Sequence, residues 1–309
     1  MPEYRRDPIT GRTVIIAAER AERPHQFDIV SDGTSPAANF VCPFCEGSED
    51  QTTPEVAAFR TEGTQPDSPG WQVRAVPNKY PAVNGTLGQH EVIIDTPRHI
   101  LSVSEMTEDE VVNMFRMYQE CIKRIRNNGQ WVFVQIFKNV GAAAGASIPH
   151  SHSQMIALPF VPEFNRFGGE GTAAKQLEDE LQQRVRIVGE TELSAALCPF
   201  ASRFAGEVEV YPKRHCTSFD ELNTGELRNF ALLVRRVITR MEQNITHHQG
   251  RLAYNFVLHT EPFTAGQAPP LTFLSIFPSL ARAAGFEWGT GLHINPIPPE
   301  IAAEKLRLV

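Results

Sequence analysis

The chain has 309 residues, of which 21% are charged, and its formal net charge is −7 at pH 7. This length suffices for one large domain or two ordinary ones, and the negative charge argues against general nucleic-acid binding. No apolar run is long enough to span a bilayer, and Met1 to Asp7 lack the apolar core of a signal peptide. We therefore expect a cytoplasmic protein with neither nucleic acid nor membrane as a partner.

The first 40 residues contain one predicted strand, at Thr13–Ile16, followed by Arg20 and Arg23. A guanidinium group suits phosphate oxygens, so the two arginines are candidates for phosphate or nucleotide contact. The alternative interpretation is an ordinary solvated loop, and composition alone favours that alternative.

The next motif is a Cys-x-x-Cys turn formed by Cys42 and Cys45. Such a turn supplies half of a typical zinc site, and a redox pair is the alternative. No thioredoxin-like pattern surrounds the turn, and an odd total of five cysteines fits thiols and a metal better than disulfides. His99 and His150, each beside a predicted strand, are candidates for the other two ligands, although His99 can also be read as a hydrogen-bonded loop histidine.

Strands are predicted at residues 73–77, 90–95 and 131–137, and a helix is predicted between the last two. The helix begins with a capping box in which Thr107 is the cap and Glu110 its partner. Its apolar residues recur at helical spacing as far as Ile125. Residues 163–190 are charged, and part of that stretch is predicted to be helical.

The central motif is a loop of glycine, alanine and serine that leads into His150, His152 and Gln154. In an extended segment these three side chains share one face, because strand side chains alternate. Small residues such as Gly141 and Gly145 let backbone N–H groups approach an anion. The motif therefore indicates chemistry on a phosphate.

Within this motif His152 is the candidate nucleophile, since a neutral imidazole both attacks phosphorus and leaves it readily. Gln154 and Ser147 are candidate donors to phosphoryl oxygens in the transition state. The alternative is a closed metal site in which His150 and His152 both join Cys42 and Cys45 as ligands.

From about residue 190 the pattern repeats. Residues 197–201 echo the Cys-x-x-Cys turn with Ala201 opposite Cys45, and a second helix begins after the cap Asn223. Continuing the register places three residues without the same chemistry opposite the central side chains, namely Leu271 opposite His150, Phe273 opposite His152 and Ser275 opposite Gln154. The second copy is therefore predicted to keep the scaffold and lack the chemistry.

Together these residues resemble one family, the galactose-1-phosphate uridylyltransferases of the histidine-triad superfamily. The resemblance covers nearly the whole chain and includes Arg5-Arg6-Asp7-Pro8, the Arg20 to Pro24 segment, Cys42-Pro43-Phe44-Cys45, Pro77-Asn78-Lys79-Tyr80-Pro81, the motif at 139–154 and residues 284–291. It implies an α+β fold of two tandem histidine-triad-like units, with an antiparallel sheet and flanking helices. The expected units are residues 1–185, with the zinc site and catalytic motif, and a degenerate unit at 186–309; a homodimer is also implied.

The activity that the resemblance implies is a ping-pong transfer between sugar 1-phosphates, of the UDP-glucose–hexose-1-phosphate uridylyltransferase type. His152 would attack the α-phosphorus of a nucleotide sugar, and a second sugar 1-phosphate would take the nucleotide from the histidine. The resemblance implies Zn2+ as cofactor, with Cys42, Cys45, His99 and His150 as ligands. It implies substrate contacts at Arg20, Arg23, Asn78, Asn139, Ser147, Gln154 and Glu287.

The sequence departs from the family pattern at three places. Ser151 stands where the commonest form has proline, although His152 is still expected to be the nucleophile. Leu271 and Phe273 replace histidines of a second, iron-type site, so no second metal is expected. Val76 and Lys79 leave the choice between uracil and adenine open. The alternatives are an ADP-glucose phosphorylase-like enzyme with phosphate as acceptor, and a nucleotide-binding protein that has lost catalysis.

Overall fold

The computed structural model describes residues 2–6, 8, 13–18, 41–162, 172–245, 251–263, 271–280 and 283–308. Within them the helices are α1 (Glu108–Asn128), α2 (Thr172–Gln183), α3 (Thr224–Asn244), α4 (Gly285–Thr290) and α5 (Pro299–Leu306). The strands are β1 (Glu3–Arg6), β2 (Thr13–Ile16), β3 (Ala57–Arg60), β4 (Trp71–Pro77), β5 (Gln89–Ile94), β6 (Phe133–Val140), β7 (His152–Leu158), β8 (Ile187–Glu190), β9 (Ser194–Leu197), β10 (Val208–Pro212), β11 (Tyr254–His259) and β12 (Phe273–Pro278). Among the described helices, none combines the length and apolar character needed to cross a bilayer.

Ten of the described strands form one antiparallel sheet in the order β3-β4-β5-β7-β6-β11-β12-β10-β9-β8. The second five strands repeat the order of the first five in mirror image, and the halves meet where β6 pairs with β11 at Asn139 and Asn255. The predicted α+β tandem with an antiparallel sheet is confirmed. The boundary between residues 185 and 186 stays a prediction, because the two halves share a single sheet.

The two long helices cover one face of the sheet and begin alike. The caps Thr107 and Asn223 each accept hydrogen bonds from their own first turn, as the capping boxes predict. Before each helix an arginine pairs with the capping-box glutamate. Arg98 Nε lies 2.7 Å from Glu110 Oε1, and Arg214 Nε lies 2.6 Å from Glu226 Oε1. These matching ion pairs show that the repeat extends to local detail.

One predicted correspondence between the copies is wrong. Residues 198–201 directly follow β9, and β9 occupies the place in its half that β4 occupies in the first. Their counterpart is therefore the segment after Pro77, and Ala201 does not stand opposite Cys45. The error arose because a shared Cys-Pro-Phe spacing was given more weight than the order of the strands.

The side of the sheet that was predicted for Phe273 agrees with the structure. Met155 on β7 and Leu274 on β12 both belong to the main core under the helices. Because side chains alternate, Phe273 faces the same side of the sheet as His152. There its ring stacks on His259 with centroids 4.2 Å apart. Aromatic packing thus occupies the face of the second copy that corresponds to the face carrying His152 in the first.

Candidate active site

Four thiol and imidazole side chains meet beside the start of β7. The ligand atoms of Cys42, Cys45, His99 and His150 all lie within 4.8 Å of one another. Cys45 Sγ is 3.3 Å from His99 Nδ1 and 3.7 Å from His150 Nδ1, and Cys42 Sγ is 3.6 Å from His150 Nδ1. Tetrahedral zinc, with bonds of about 2.3 Å to sulfur and about 2.0 Å to nitrogen, holds S and N about 3.5 Å apart. The cluster therefore has the dimensions that a metal ion requires.

The surrounding backbone orients these ligands. The Cys45 N–H donates to the Cys42 carbonyl at 3.2 Å, which closes the turn and brings both thiols to one side. His150 Nε2 donates to the Thr96 carbonyl at 2.9 Å, so the ring presents its Nδ1 lone pair to the thiols. Burial raises the pKa of the Cys42 thiol to about 12 and lowers that of His150 to about 4. A bound cation would supply the charge that stabilises the thiolates here.

His152 lines a cavity of about 400 Å³ on the face of the sheet away from the long helices. Its Nδ1–H donates to the His150 carbonyl at 2.7 Å, so the lone pair of the ring lies on Nε2. The ring of Phe44, from the Cys-x-x-Cys turn, packs against it with centroids 5.2 Å apart. The turn that positions the thiols therefore also restricts the imidazole.

Amide side chains beside His152 are anchored through their oxygens. Asn78 Oδ1 accepts from the Tyr80 N–H at 2.8 Å, and Gln154 Oε1 lies 3.0 Å from His90 Nε2. The Ala82 N–H donates to His90 Nδ1 at 2.9 Å, so the proton of His90 is on Nε2 and is donated to Gln154. Both amides line the cavity. The NH2 group of Gln154 is thereby turned outward as a donor, whereas Asn78 Nδ2 also lies 3.1 Å from His90 Nε2, and its second N–H is the one that suits a phosphoryl oxygen.

The second copy supports the glycine loop. Asn255 Nδ2 donates to Asn139 Oδ1 and to the Ala144 carbonyl, both at 2.8 Å. Gly141 has a φ of 84°, and a Cβ built on it would lie 2.9 Å from the Cβ of Ala253. The backbone here thus requires glycine, and the second copy fixes the loop and the Asn139 amide together.

The remaining predicted site residues are placed as follows. Ser147 is buried and lines the cavity beside His152 and Gln154. Glu287 lies on α4, where its carboxylate accepts from the Ala284 N–H at 3.0 Å, and it is not among the described residues that line this cavity. Arg20 and Arg23 fall outside the described residues.

The sequence reasoning missed His90 and Asn255. Each acts by orienting another residue across the sheet, His90 from β5 to Gln154 on β7 and Asn255 from β11 to Asn139. The alternation on β5 does put His90 on the same face as Val92, which lines the cavity. Only the strand order shows which residue it meets.

Known proteins are similar to this chain over nearly its whole length. A family model described as galactose-1-phosphate uridyl transferase, N-terminal domain, matches residues 1–162. ADP-glucose phosphorylase of Arabidopsis thaliana is 32% identical over 100% of this chain and 93% of its own, and galactose-1-phosphate uridylyltransferase of Thermotoga maritima is 28% identical over 99% and 98%. The crystal structure of the Arabidopsis enzyme with bound ADP-glucose matches with a TM-score of 0.74 at 30% identity, covering 100% of this chain and 99% of that one.

The tautomers at this site can be measured directly. We expect His152 to carry its proton on Nδ1 and His90 on Nε2, because the His150 carbonyl and the Ala82 N–H impose these states. Long-range proton–nitrogen correlation spectra of protein labelled on histidine distinguish the two tautomers, and His90→Phe provides the assignment of His90. Opposite tautomers, or averaged signals from both, would contradict this account of the site.

Proposed function

Since the chain belongs to the galactose-1-phosphate uridylyltransferase family, we propose that it transfers a nucleoside monophosphate between sugar 1-phosphates through a nucleotidyl-histidine at His152. The observation that carries this proposal is the orientation of His152 in its cavity. Its Nδ1–H is held by the His150 carbonyl, and the amides of Asn78 and Gln154 present N–H donors beside it. A nucleophile next to donors for an anion is the arrangement that attack on phosphorus needs.

In the first half-reaction His152 Nε2 attacks the α-phosphorus of a nucleotide sugar. The bond from phosphorus to the bridging oxygen breaks, and its electron pair leaves with the sugar 1-phosphate. The ring, now bonded to phosphorus, carries positive charge, and the bond from Nδ1–H to the His150 carbonyl strengthens as this charge develops. The Gln154 and Asn78 amides donate to the non-bridging oxygens.

In the second half-reaction an oxygen of the acceptor attacks the same phosphorus. The bond from phosphorus to nitrogen breaks, and its electron pair returns to His152, which leaves as a neutral imidazole. We assign Ser147 and Asn139 to phosphate contact, Arg20 and Arg23 to the nucleotide, and Glu287 to sugar hydroxyls. The intact set of groups in the first copy argues against a protein that has lost catalysis.

An ADP-glucose phosphorylase-like enzyme is the second candidate. It would form the same intermediate with adenylate and pass it to phosphate. The relative of that name is 32% identical to this chain, against 28% for the Thermotoga uridylyltransferase. We also propose a cytoplasmic location, which five free cysteines support.

We propose zinc as the metal held by Cys42, Cys45, His99 and His150. Two thiols and two imidazoles at these distances suit a closed tetrahedral site, which is typical of structural zinc. When bound, the ion would stabilise the folded cluster. His150 would then link the metal to the nucleophile, because its ring is a ligand and its carbonyl holds His152.

The metal assignment predicts about one zinc per chain in the purified protein. Cys42→Ser should lower both the zinc content and the melting temperature, because a serine hydroxyl is a poor replacement for a thiolate. Elemental analysis and thermal unfolding measure the two effects. Cys198→Ser is the matched control for zinc content, since Cys198 is also buried but lies in the second copy. Full zinc retention by Cys42→Ser would count against the assignment.

The nucleophile assignment predicts that nucleotide-labelled UDP-glucose or ADP-glucose leaves acid-labile label on His152. His152→Ala should abolish labelling and reduce turnover by about 10³-fold or more, whereas His215→Ala, an exposed histidine of the second copy, should change neither. Offering galactose 1-phosphate or phosphate as acceptor then separates the two candidate enzymes. Absence of an adduct with both nucleotide sugars would exclude the mechanism.

We further propose a homodimer in which Glu287 serves the cavity of the partner. Around Glu287 the side chains of Phe286, Trp288, Leu292 and Ile294 are 51–75% exposed. So many apolar side chains exposed within one short segment indicate an interaction surface. A segment that carries a predicted sugar contact, yet does not line the cavity of its own chain, is suited to cover that of a second copy.

Mixing inactive variants tests this arrangement. Equal amounts of Glu287→Ala and His152→Ala, co-expressed, should recover about a quarter of wild-type sites, because half the dimers then contain one intact site of two. Gln154→Ala mixed with His152→Ala is the control and should recover nothing, since both residues belong to one cavity. If verified mixed dimers stay inactive, Glu287 does not act across subunits.

A further inference from the structure

The two serines that flank His152 face away from the cavity. Ser151 and Ser153 are buried, and both donate to the carboxylate of Asp95, which has no exposed surface. The distances are 3.2 Å from Ser151 Oγ to Asp95 Oδ2 and 3.0 Å from Ser153 Oγ to Asp95 Oδ1. One carboxylate therefore holds the residues on both sides of the proposed nucleophile.

A buried lysine completes this arrangement. Lys138, on β6, is 1% exposed and forms an ion pair with Asp95. Its Nζ also donates to Ser151 Oγ at 2.8 Å and to the His152 carbonyl at 3.0 Å. An ammonium group has three donors, and all three are used here.

The backbone of the same segment is held as well. The Asp95 N–H donates to the Ser151 carbonyl at 3.2 Å, and the Ser151 N–H donates to the Ile100 carbonyl at 2.6 Å. Proline, which is commonest at position 151 in the family that the sequence resembles, has neither the hydroxyl nor the N–H. Proline restricts the backbone through its own ring, whereas here hydrogen bonds with Asp95, Lys138 and the Ile100 carbonyl restrict it.

A buried ion pair is a poor source of stability, because removing two charges from water costs about as much as their attraction returns. Stability alone therefore does not account for Lys138 and Asp95. Their hydrogen bonds converge on the peptide groups next to one residue, His152. The arrangement fixes the position of that backbone, and through it the direction of the imidazole.

We propose that Asp95, Lys138, Ser151 and Ser153 form a positioning unit for His152. The proposal rests on the function proposed above, in which His152 attacks phosphorus. These four residues do not line the described cavity, so they are positioning residues and act through the nucleophile. Displacing a reacting group by a fraction of an ångström lowers the rate of attack while leaving substrate binding largely unchanged.

The sharpest test compares Ser151→Thr with Ser151→Val. The two side chains have the same shape, and only threonine keeps the hydroxyl. In a single turnover with a labelled nucleotide sugar, we expect the threonine variant to label His152 about tenfold faster than the valine variant. The dissociation constants for the nucleotide sugar should agree within about twofold. Equal labelling rates would overturn the proposal.

A double variant separates positioning from stability. Asp95→Asn and Lys138→Met each leave a buried charge without its partner and should lower the melting temperature. Combining them removes both charges, so we expect the melting temperature to recover while labelling of His152 stays slow. If the labelling rate recovers together with the melting temperature, the role of the pair is only structural and the proposal fails.

A readout that needs no turnover keeps this test independent of the proposed function. The nitrogen spectrum of His152 should show the wild-type Nδ1–H signal in Ser151→Thr and an altered signal in Ser151→Val. If the wild-type protein forms no adduct, the proposed function is wrong, and this comparison still decides the positioning claim. Identical spectra in the two variants would overturn it.

Discussion

The alternation of side chains along residues 150–154 is the constraint on which the rest of the site depends. His150, His152 and Gln154 face the Cys/His cluster and the cavity, whereas Ser151 and Ser153 face Asp95 and Lys138 under the helices. A shift of one residue in the register of β7 would exchange the two sets and place imidazoles in the core. The pairing of β7 with β5 and β6 on both sides therefore protects the chemistry as well as the fold.

The two copies contribute different residues to the site. The first supplies the proposed nucleophile, the proposed metal ligands and the amide donors. The second supplies half of the sheet, a long helix that packs beside α1, and Asn255, which holds both Asn139 and the glycine loop. On the face of the sheet that carries the cavity in the first copy, the second copy has Phe273 stacked on His259. It thus lacks counterparts of the residues proposed for phosphate chemistry, and it contributes residues that support its neighbour.

Local patterns were sufficient to predict the two long helices, several strands, the four residues of the Cys/His cluster and the face shared by His152 and Gln154. Capping boxes and the spacing of apolar residues in a helix involve residues that are close together in the chain, so they can be identified from the sequence directly. Long-range partners were not predictable in the same way. The roles of His90 and Asn255 depend on which strands become neighbours, and the role of Ser151 depends on Lys138 and Asp95. The mistaken match of Ala201 to Cys45 has the same origin, since a short spacing motif contains no information on strand order.

The joint between β6 and β11 has a consequence for how the copies can exist. Asn139 and Asn255 meet there although they are 116 positions apart in the chain, and each half covers the sheet edge of the other. A half produced alone would expose the full edge of β6 or of β11, which is an open template for pairing with another chain. Separately expressed halves should therefore reassemble or self-associate rather than persist as monomers. Because both halves belong to one chain, the pairing of β6 with β11 is intramolecular and does not depend on protein concentration.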